Sequence, residues 1–141
     1  MITEIRDYFT GVIQEVDGDL DFDGFIFENE NIGNTAIDNT YKMMIGESAV
    51  VRIDSSYVNS LSLEIWIYKS SGYDRVEDFD DIYCKSIEIA ALSIDQTKID
   101  QSGFIKSVIS QSVLPEAFED NDNAMRFRIQ FTISAYFSVE D

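Results

Sequence analysis

The chain has 141 residues and a formal net charge of −17, because 27 acidic residues outnumber 10 basic ones. This length suits one domain with a real core and is too short for two. Such an excess of acid excludes nucleic-acid binding through a basic surface, and the absence of histidine excludes Ser-His and Cys-His catalytic pairs. The single cysteine permits no internal disulfide, and no apolar run is long enough to span a membrane.

The first predicted element is an amphipathic helix over residues 3–16. Its apolar residues recur at helical spacing: Ile5, Phe9, Val12, Ile13 and Val16. Residues 17–23 are acidic and contain glycine, which predicts a loop, and residues 25–27 predict a short strand. A second helix is predicted over 75–92, where Asp74 followed by Glu77 resembles a capping box. Its predicted apolar stripe consists of Val76, Phe79, Tyr83, Ile87 and Ala90.

Alternation of apolar and polar residues predicts strands over 49–53 and 61–68, and the Val- and Ile-rich segment 104–114 is also predicted as a strand. The clearest alternation runs from 125 to 139, which is longer than an ordinary strand and is expected to present unpaired backbone groups to a neighbouring chain. We therefore predict a single α+β domain over residues 1–141. It should contain a mainly antiparallel sheet of four or more strands, with two helices packed on one face.

One short motif matches the calcium loop of helix–loop–helix proteins, with carboxylates at alternate positions, a glycine at the turn and a closing glutamate. Its candidate ligands are Asp19, Asp21, Asp23 and Glu30. The segment after Glu30 is a poor helix, whereas the motif needs a helix on each side. A solvated acidic loop is the alternative interpretation, and calcium is the only cofactor that the sequence suggests.

Other candidate residues favour structure or contact over catalysis. The acids at the start of the second helix lie where the helix dipole favours negative charge, and no second acid is placed opposite them. Cys84 is predicted to be a small core residue. Three aromatics lie on the nominally outer faces of strands, where they are either covered by the chain itself or anchor an interface: Trp66, Tyr68 and Tyr136.

The order of these elements resembles that of the tail terminator proteins of long-tailed bacteriophages, which are small α+β subunits that form a ring on the tail tube. Residues 60–68 and 76–83 look like that family's alternating strand followed by a helix with an acidic start. Residues 125–136 look like its closing strand. The resemblance covers most of the chain, but the acidic segment 17–30 has no counterpart in the family.

The resemblance implies a virion structural protein that is not an enzyme. It would cap the tail tube as a homo-oligomeric ring, a hexamer by resemblance, would end tube polymerisation and would offer a docking surface to the head–tail connector. Its partners would be copies of itself, the tail tube protein and the connector, without a membrane. We expect it in the tail or neck of the virion, and in the host cytoplasm during assembly. The alternatives are another neck or tail-completion protein and a calcium-dependent binding module.

The negative charge has a function in this hypothesis, because DNA would pass through the ring without being bound specifically. A lining of carboxylates repels the duplex and keeps it mobile, whereas a basic lining would hold it. The predicted channel-facing acids are Asp17, Asp19, Asp21, Asp23, Asp78, Asp80 and Asp81. The alternative explanation is that the acidic surface keeps the protein soluble.

Overall fold

Three helices cover one face of a five-stranded sheet in the computed structural model, which describes residues 1–26, 39–70, 75–118 and 121–138. The elements are α1 (Ile2–Val16), β1 (Asp21–Ile26), β2 (Thr40–Ile53), β3 (Ser56–Ser70), α2 (Arg75–Ser93), α3 (Gln96–Ser102), β4 (Ile105–Phe118) and β5 (Asn121–Phe137). The strand order is β1-β2-β3-β5-β4, and every pair is antiparallel except β1 with β2. The predicted α+β class is confirmed.

The core lies between the helices and one face of the sheet. Alternate residues of β3 and β5 point to this face and are almost fully buried, including Leu63, Ile65, Phe127, Ile129 and Phe131. The helices contribute one apolar side each, with Phe9 and Ile13 from α1, Ile82 and Ile89 from α2, and Ile99 from α3. Alternate residues of the strands therefore pack against one side of each amphipathic helix and form one continuous core.

Helix α2 runs one residue beyond the predicted 75–92 and leaves most of the predicted stripe in solvent. Its buried residues include Ser86 and Ser93, whose hydroxyls donate to the carbonyls of Ile82 and Ile89 at 2.8 and 2.7 Å. These bonds within the helix make a buried serine tolerable, because the hydroxyl is satisfied without solvent. Of the predicted stripe, Ala90 is buried, whereas Val76, Phe79, Tyr83 and Ile87 are exposed. The prediction that Cys84 is a core residue is wrong, because its side chain is exposed. The predicted cap residue Asp74 lies outside the described residues.

Two parts of the chain differ from the sequence-based prediction. The acidic loop predicted over 17–23 becomes strand β1 from Asp21 onward, because the backbone there pairs in parallel with β2. A register break between Phe22 and Phe25 contains Gly24 at φ 101°, a conformation that favours glycine. The sequence also missed α3. Its N-cap is Asp95, whose carboxylate accepts a hydrogen bond from the Thr97 amide, and its C-cap is Gly103 in the left-handed conformation.

Among the described residues, no helix is both long enough and apolar enough to cross a membrane.

We expect Phe131→Ala to lower the free energy of unfolding by about 3–5 kcal/mol, because the truncation opens a cavity in the core. The Phe131 ring is 1% exposed and packs against Phe9 of α1 with 5.1 Å between ring centroids. Urea unfolding measures the change, and Val76→Ala, at an 81% exposed position, is the control with an expected change within about 0.5 kcal/mol. If Phe131→Ala lowered the free energy of unfolding no more than the control does, the placement of Phe131 in the core would be wrong.

Candidate functional site

A buried carboxylate organises the face of the sheet that carries none of the three described helices. Glu64 of β3 accepts hydrogen bonds from Trp66 Nε1 at 2.9 Å, from Arg128 Nη2 at 2.6 Å and from Gln130 Nε2 at 2.6 Å. Burial raises the pKa of Glu64, but these three donors and the Arg128 charge outweigh burial and leave the pKa below its usual value. The carboxylate therefore stays ionised and ties β3 to β5.

Two of the three predicted interface aromatics are buried inside the chain. Trp66 is 7% exposed, and the guanidinium groups of Arg126 and Arg128 lie over its ring, with central carbons 4.4 and 4.9 Å from the ring centroid. Tyr68 is 1% exposed, whereas Tyr136 is 43% exposed. The sequence left open whether these aromatics are covered by the chain itself or anchor an interface. Trp66 and Tyr68 are covered by the chain, whereas Tyr136 is exposed and available for contact.

The polar network of this face continues onto β4. The Ser112 hydroxyl donates to Gln130 Oε1 at 2.8 Å, and Gln111 Nε2 donates to Thr132 Oγ1 at 2.7 Å. Strands β3, β5 and β4 are thus joined by side chains as well as by their backbones. These hydrogen bonds within the chain account for the polar side chains on this face.

Two of the predicted channel acids meet at a shared lysine. Lys85 of α2 places its Nζ 3.3 Å from Asp17 Oδ2 and 3.3 Å from Asp81 Oδ2, and Lys69 of β3 also lies 3.3 Å from Asp17. Burial raises the pKa of Asp17, but the Asp19 amide and the two lysines outweigh it and hold that pKa below its usual value. Asp17 is buried, so its charge acts within the fold.

The other predicted channel acids are grouped at the same end of the sheet. Asp19 and Asp21 are exposed next to Asp17, and Asp80 and Asp81 are exposed near the start of α2. The remaining predicted channel acids, Asp78 of α2 and Asp23 of β1, are half-buried. Asp23 forms an ion pair with Lys42 at 2.8 Å. The structure thus brings the two predicted acidic clusters together at one end of the molecule, which we call the acidic end.

The calcium motif is only partly described. Asp21 and Asp23 belong to a paired strand, and Glu30 lies outside the described residues. Among the residues that the structure describes, no three acidic or cysteine side chains form a group that could hold a metal ion. The calcium site stays a prediction from the sequence.

The opposite end of the sheet exposes apolar side chains on strand β2. Strand β1 pairs with β2 only as far as Met44, whereas β2 continues to Ile53. Val50 is 62% exposed and Val51 is 51% exposed, although adjacent strand residues point to opposite faces. Both faces of this strand end are therefore uncovered. The sequence predicted a strand at 49–53 but gave no sign that both of its faces meet solvent.

Helix α2 carries a second exposed apolar surface. Phe79 and Tyr83 stack with 6.1 Å between ring centroids and rest partly on Phe127, yet both remain exposed. Val76 and Ile87 extend this α2 stripe along the helix at the spacing of one helix face. The described residues thus include an exposed apolar surface on a strand and another on a helix.

Comparison with known proteins gives little. No protein-family model matches the chain, and no curated protein matches it. Among solved structures, one similar chain comes from a structure titled "Virion of native gene transfer agent (GTA) particle". It is 9% identical, with a TM-score of 0.42, and the similarity covers 89% of this chain and 85% of that chain. A likeness this weak supports no conclusion about function.

Substitution of Glu64 by glutamine should lower the free energy of unfolding at pH 7 by about 1–3 kcal/mol, because Arg128 and Trp66 lose a charged acceptor. The folded-state pKa of Glu64 is depressed, so its contribution is fully present above the unfolded value of 4.5. This contribution to the free energy of unfolding is lost as the pH falls through the lower pKa that Glu64 has in the folded state.

Urea unfolding of the native chain and of Glu64→Gln between pH 3 and pH 7 measures this effect. The difference in free energy of unfolding between the two proteins should be constant near pH 7 and should shrink at low pH, as Glu64 becomes protonated. Glu47→Gln, at an exposed position of β2, is the matched control and should change little. If the difference in free energy of unfolding between the native chain and Glu64→Gln did not depend on pH, the claim that Glu64 is ionised in this network would be wrong.

Proposed function

We propose that this chain is a virion structural protein whose copies form a ring that caps the tail tube. The ring would end tube polymerisation and offer a docking surface to the head–tail connector, without catalysis. The resemblance of residues 60–83 and 125–136 to tail terminator proteins supports this proposal. Another neck or tail-completion protein remains the nearest alternative.

The observation that carries the proposal is the pair of exposed apolar surfaces on different elements. Monomeric soluble proteins seldom leave large contiguous apolar surfaces uncovered, and such surfaces mark sites of contact with other proteins. Val50 and Val51 lie at the end of β2, whereas the α2 stripe lies on a helix. Two surfaces suit a subunit that contacts a neighbour in a ring and also a second kind of protein above or below it.

The distribution of charge supports the same role. Four of the predicted channel acids are exposed at the acidic end: Asp19, Asp21, Asp80 and Asp81. A ring that turned these carboxylates toward its bore would repel a DNA duplex and leave it free to move. Asp19, Asp80 and Asp81 are the exposed members best placed for that role, since Asp17 is neutralised inside the fold.

Native mass spectrometry and sedimentation velocity test the proposal directly. We expect discrete species whose masses are whole multiples of 16.1 kDa, with one ring size dominant. Copies with a charge of −17 repel each other, so the ring population should rise with salt as screening shortens the range of repulsion.

A chain that stays monomeric at every salt and protein concentration would contradict the ring. Thermal melts of the same samples separate the calcium alternative. A melting temperature that rises with calcium but not with magnesium, in a monomer, would favour a calcium-dependent binding module instead.

A further inference from the structure

The α2 stripe lies beside an exposed part of strand β4. Phe79 and Tyr83 contact Phe127 of β5, with 5.4 and 6.4 Å between ring centroids. Pro115 of β4 pairs with Phe127 in the antiparallel register, and directly opposed residues share one face of a sheet. Pro115 is exposed, like the two rings of the stripe. The stripe and Pro115 therefore border one apolar surface, which has Phe127 beneath it.

Helix α2 carries far more acid than base. Residues 77–88 contain five acids and a single base, Lys85. The Lys85 ammonium lies 3.3 Å from carboxylate oxygens of Asp17 and of Asp81, so its charge is already engaged within the chain. The carboxylates on the exposed side of the helix give it a negative potential, which attracts a positively charged partner.

One of these carboxylates stands next to the stripe. Asp80 follows Val76 by four positions and precedes Tyr83 by three, and residues at these spacings are neighbours on a helix surface. Asp80 is exposed, and so is Glu88, which follows Ile87. A partner that covers the apolar stripe would therefore bring its own flanking side chains against carboxylates.

We propose that the α2 stripe binds a basic amphipathic helix of a second protein, with apolar side chains over Phe79 and Tyr83 and with lysines or arginines beside Asp80. This inference rests on the proposed function and names the chemistry of the protein that would stack on the ring. Because the start of α2 lies at the acidic end, this partner would sit at the rim of the proposed bore. Burial of the stripe favours binding, and the opposite charges make the binding specific.

The partner is expected to be a helix because β4 is a poor site for an added strand. Pro115 has no N–H to donate to a neighbouring strand, and the register of β4 is irregular between Ser110 and Ser112. Both features oppose pairing at a strand edge. The residues of the stripe are three or four positions apart and form a ridge along the helix, and a second helix can pack its side chains beside such a ridge.

Charge argues against a second copy of the chain as the occupant. Contact between the α2 stripes of two copies would bring like charges together, which costs free energy. The exposed end of β2 offers Val50 and Val51, but its base Arg52 is followed by Asp54, so this segment carries no net positive charge. A different protein with basic residues therefore suits the stripe better than either of these apolar surfaces.

Fluorescence anisotropy of labelled synthetic helices tests the chemistry of the partner on the full chain. The probe has leucines on one face and lysines on both sides of them. One matched peptide has glutamate in place of each lysine, and another has serine in place of each leucine. We expect the probe to bind at least about tenfold more tightly than either matched peptide. Its binding should weaken as salt is added, which is opposite in sign to the salt dependence of ring assembly.

Variants of the chain test the position of the binding surface. Val76→Ser and Ile87→Ser should each weaken binding of the probe by about tenfold, because a buried apolar contact is lost. Val50→Ser, at an exposed position of β2, is the matched control and should leave the affinity within about twofold. Asp80→Asn should weaken binding by about two- to fivefold, whereas Glu47→Gln removes an equally exposed acid and should change little.

Each contrary outcome overturns a defined claim. Equal binding of the glutamate peptide, or equal effects of Asp80→Asn and Glu47→Gln, would overturn the basic partner at this surface. Loss of rings in Val76→Ser, seen by native mass spectrometry, would show that a second copy covers the stripe and would also overturn the inference. Rings without probe binding would overturn the inference and leave the proposed function standing. Probe binding with the expected pattern by a chain that never forms rings would overturn the proposed function and keep the binding surface.

Discussion

The unbroken pairing of β3 with β5 is the constraint on which the rest of the structure depends. Tyr57 pairs with Phe137 and the register continues to Ser70 with Ala124 without a bulge, whereas β2 and β4 join this pair through irregular registers. A slip of one residue would turn every side chain of a strand to the other face. Leu63 would then leave the core, and Glu64 would be buried under the helices without Arg128 as its partner.

Much of this fold follows from local patterns in the sequence. The alternation over 125–139 predicted the buried face of β5, and the spacing of Phe9 and Ile13 predicted α1. The expected overhang of unpaired backbone is wrong, because β5 runs from Asn121 to Phe137 and lies between β3 and β4, which pair with it along most of its length. Helix α2 shows the limit of such patterns, because its phenylalanine and tyrosine stripe is more apolar than the serine-containing side that is buried. Helix α3 has seven residues, too few for a period to show, and its only sequence signals were Asp95 and Gly103 at its ends.

The candidate site was harder to predict, because its properties depend on partners distant in sequence. Asp17 looked like one more solvated acid, yet Lys69 and Lys85 bury and neutralise it. Trp66 pointed outward, as predicted, but arginines from β5 cover its ring. The exposure of the end of β2 also depends on a distant part of the chain, because β1 ends its pairing at Met44 and leaves the outer side of the following β2 residues without a described partner strand.

The central claim is that one end of the subunit joins its neighbour while the other presents carboxylates to a channel. An electron cryomicroscopy structure of the assembled ring is the most direct test. The account predicts a closed ring of copies, with Asp19, Asp80 and Asp81 on the wall of the bore. A neutral or basic bore, with these acids on the outer surface, would contradict it and leave solubility as the explanation of the charge.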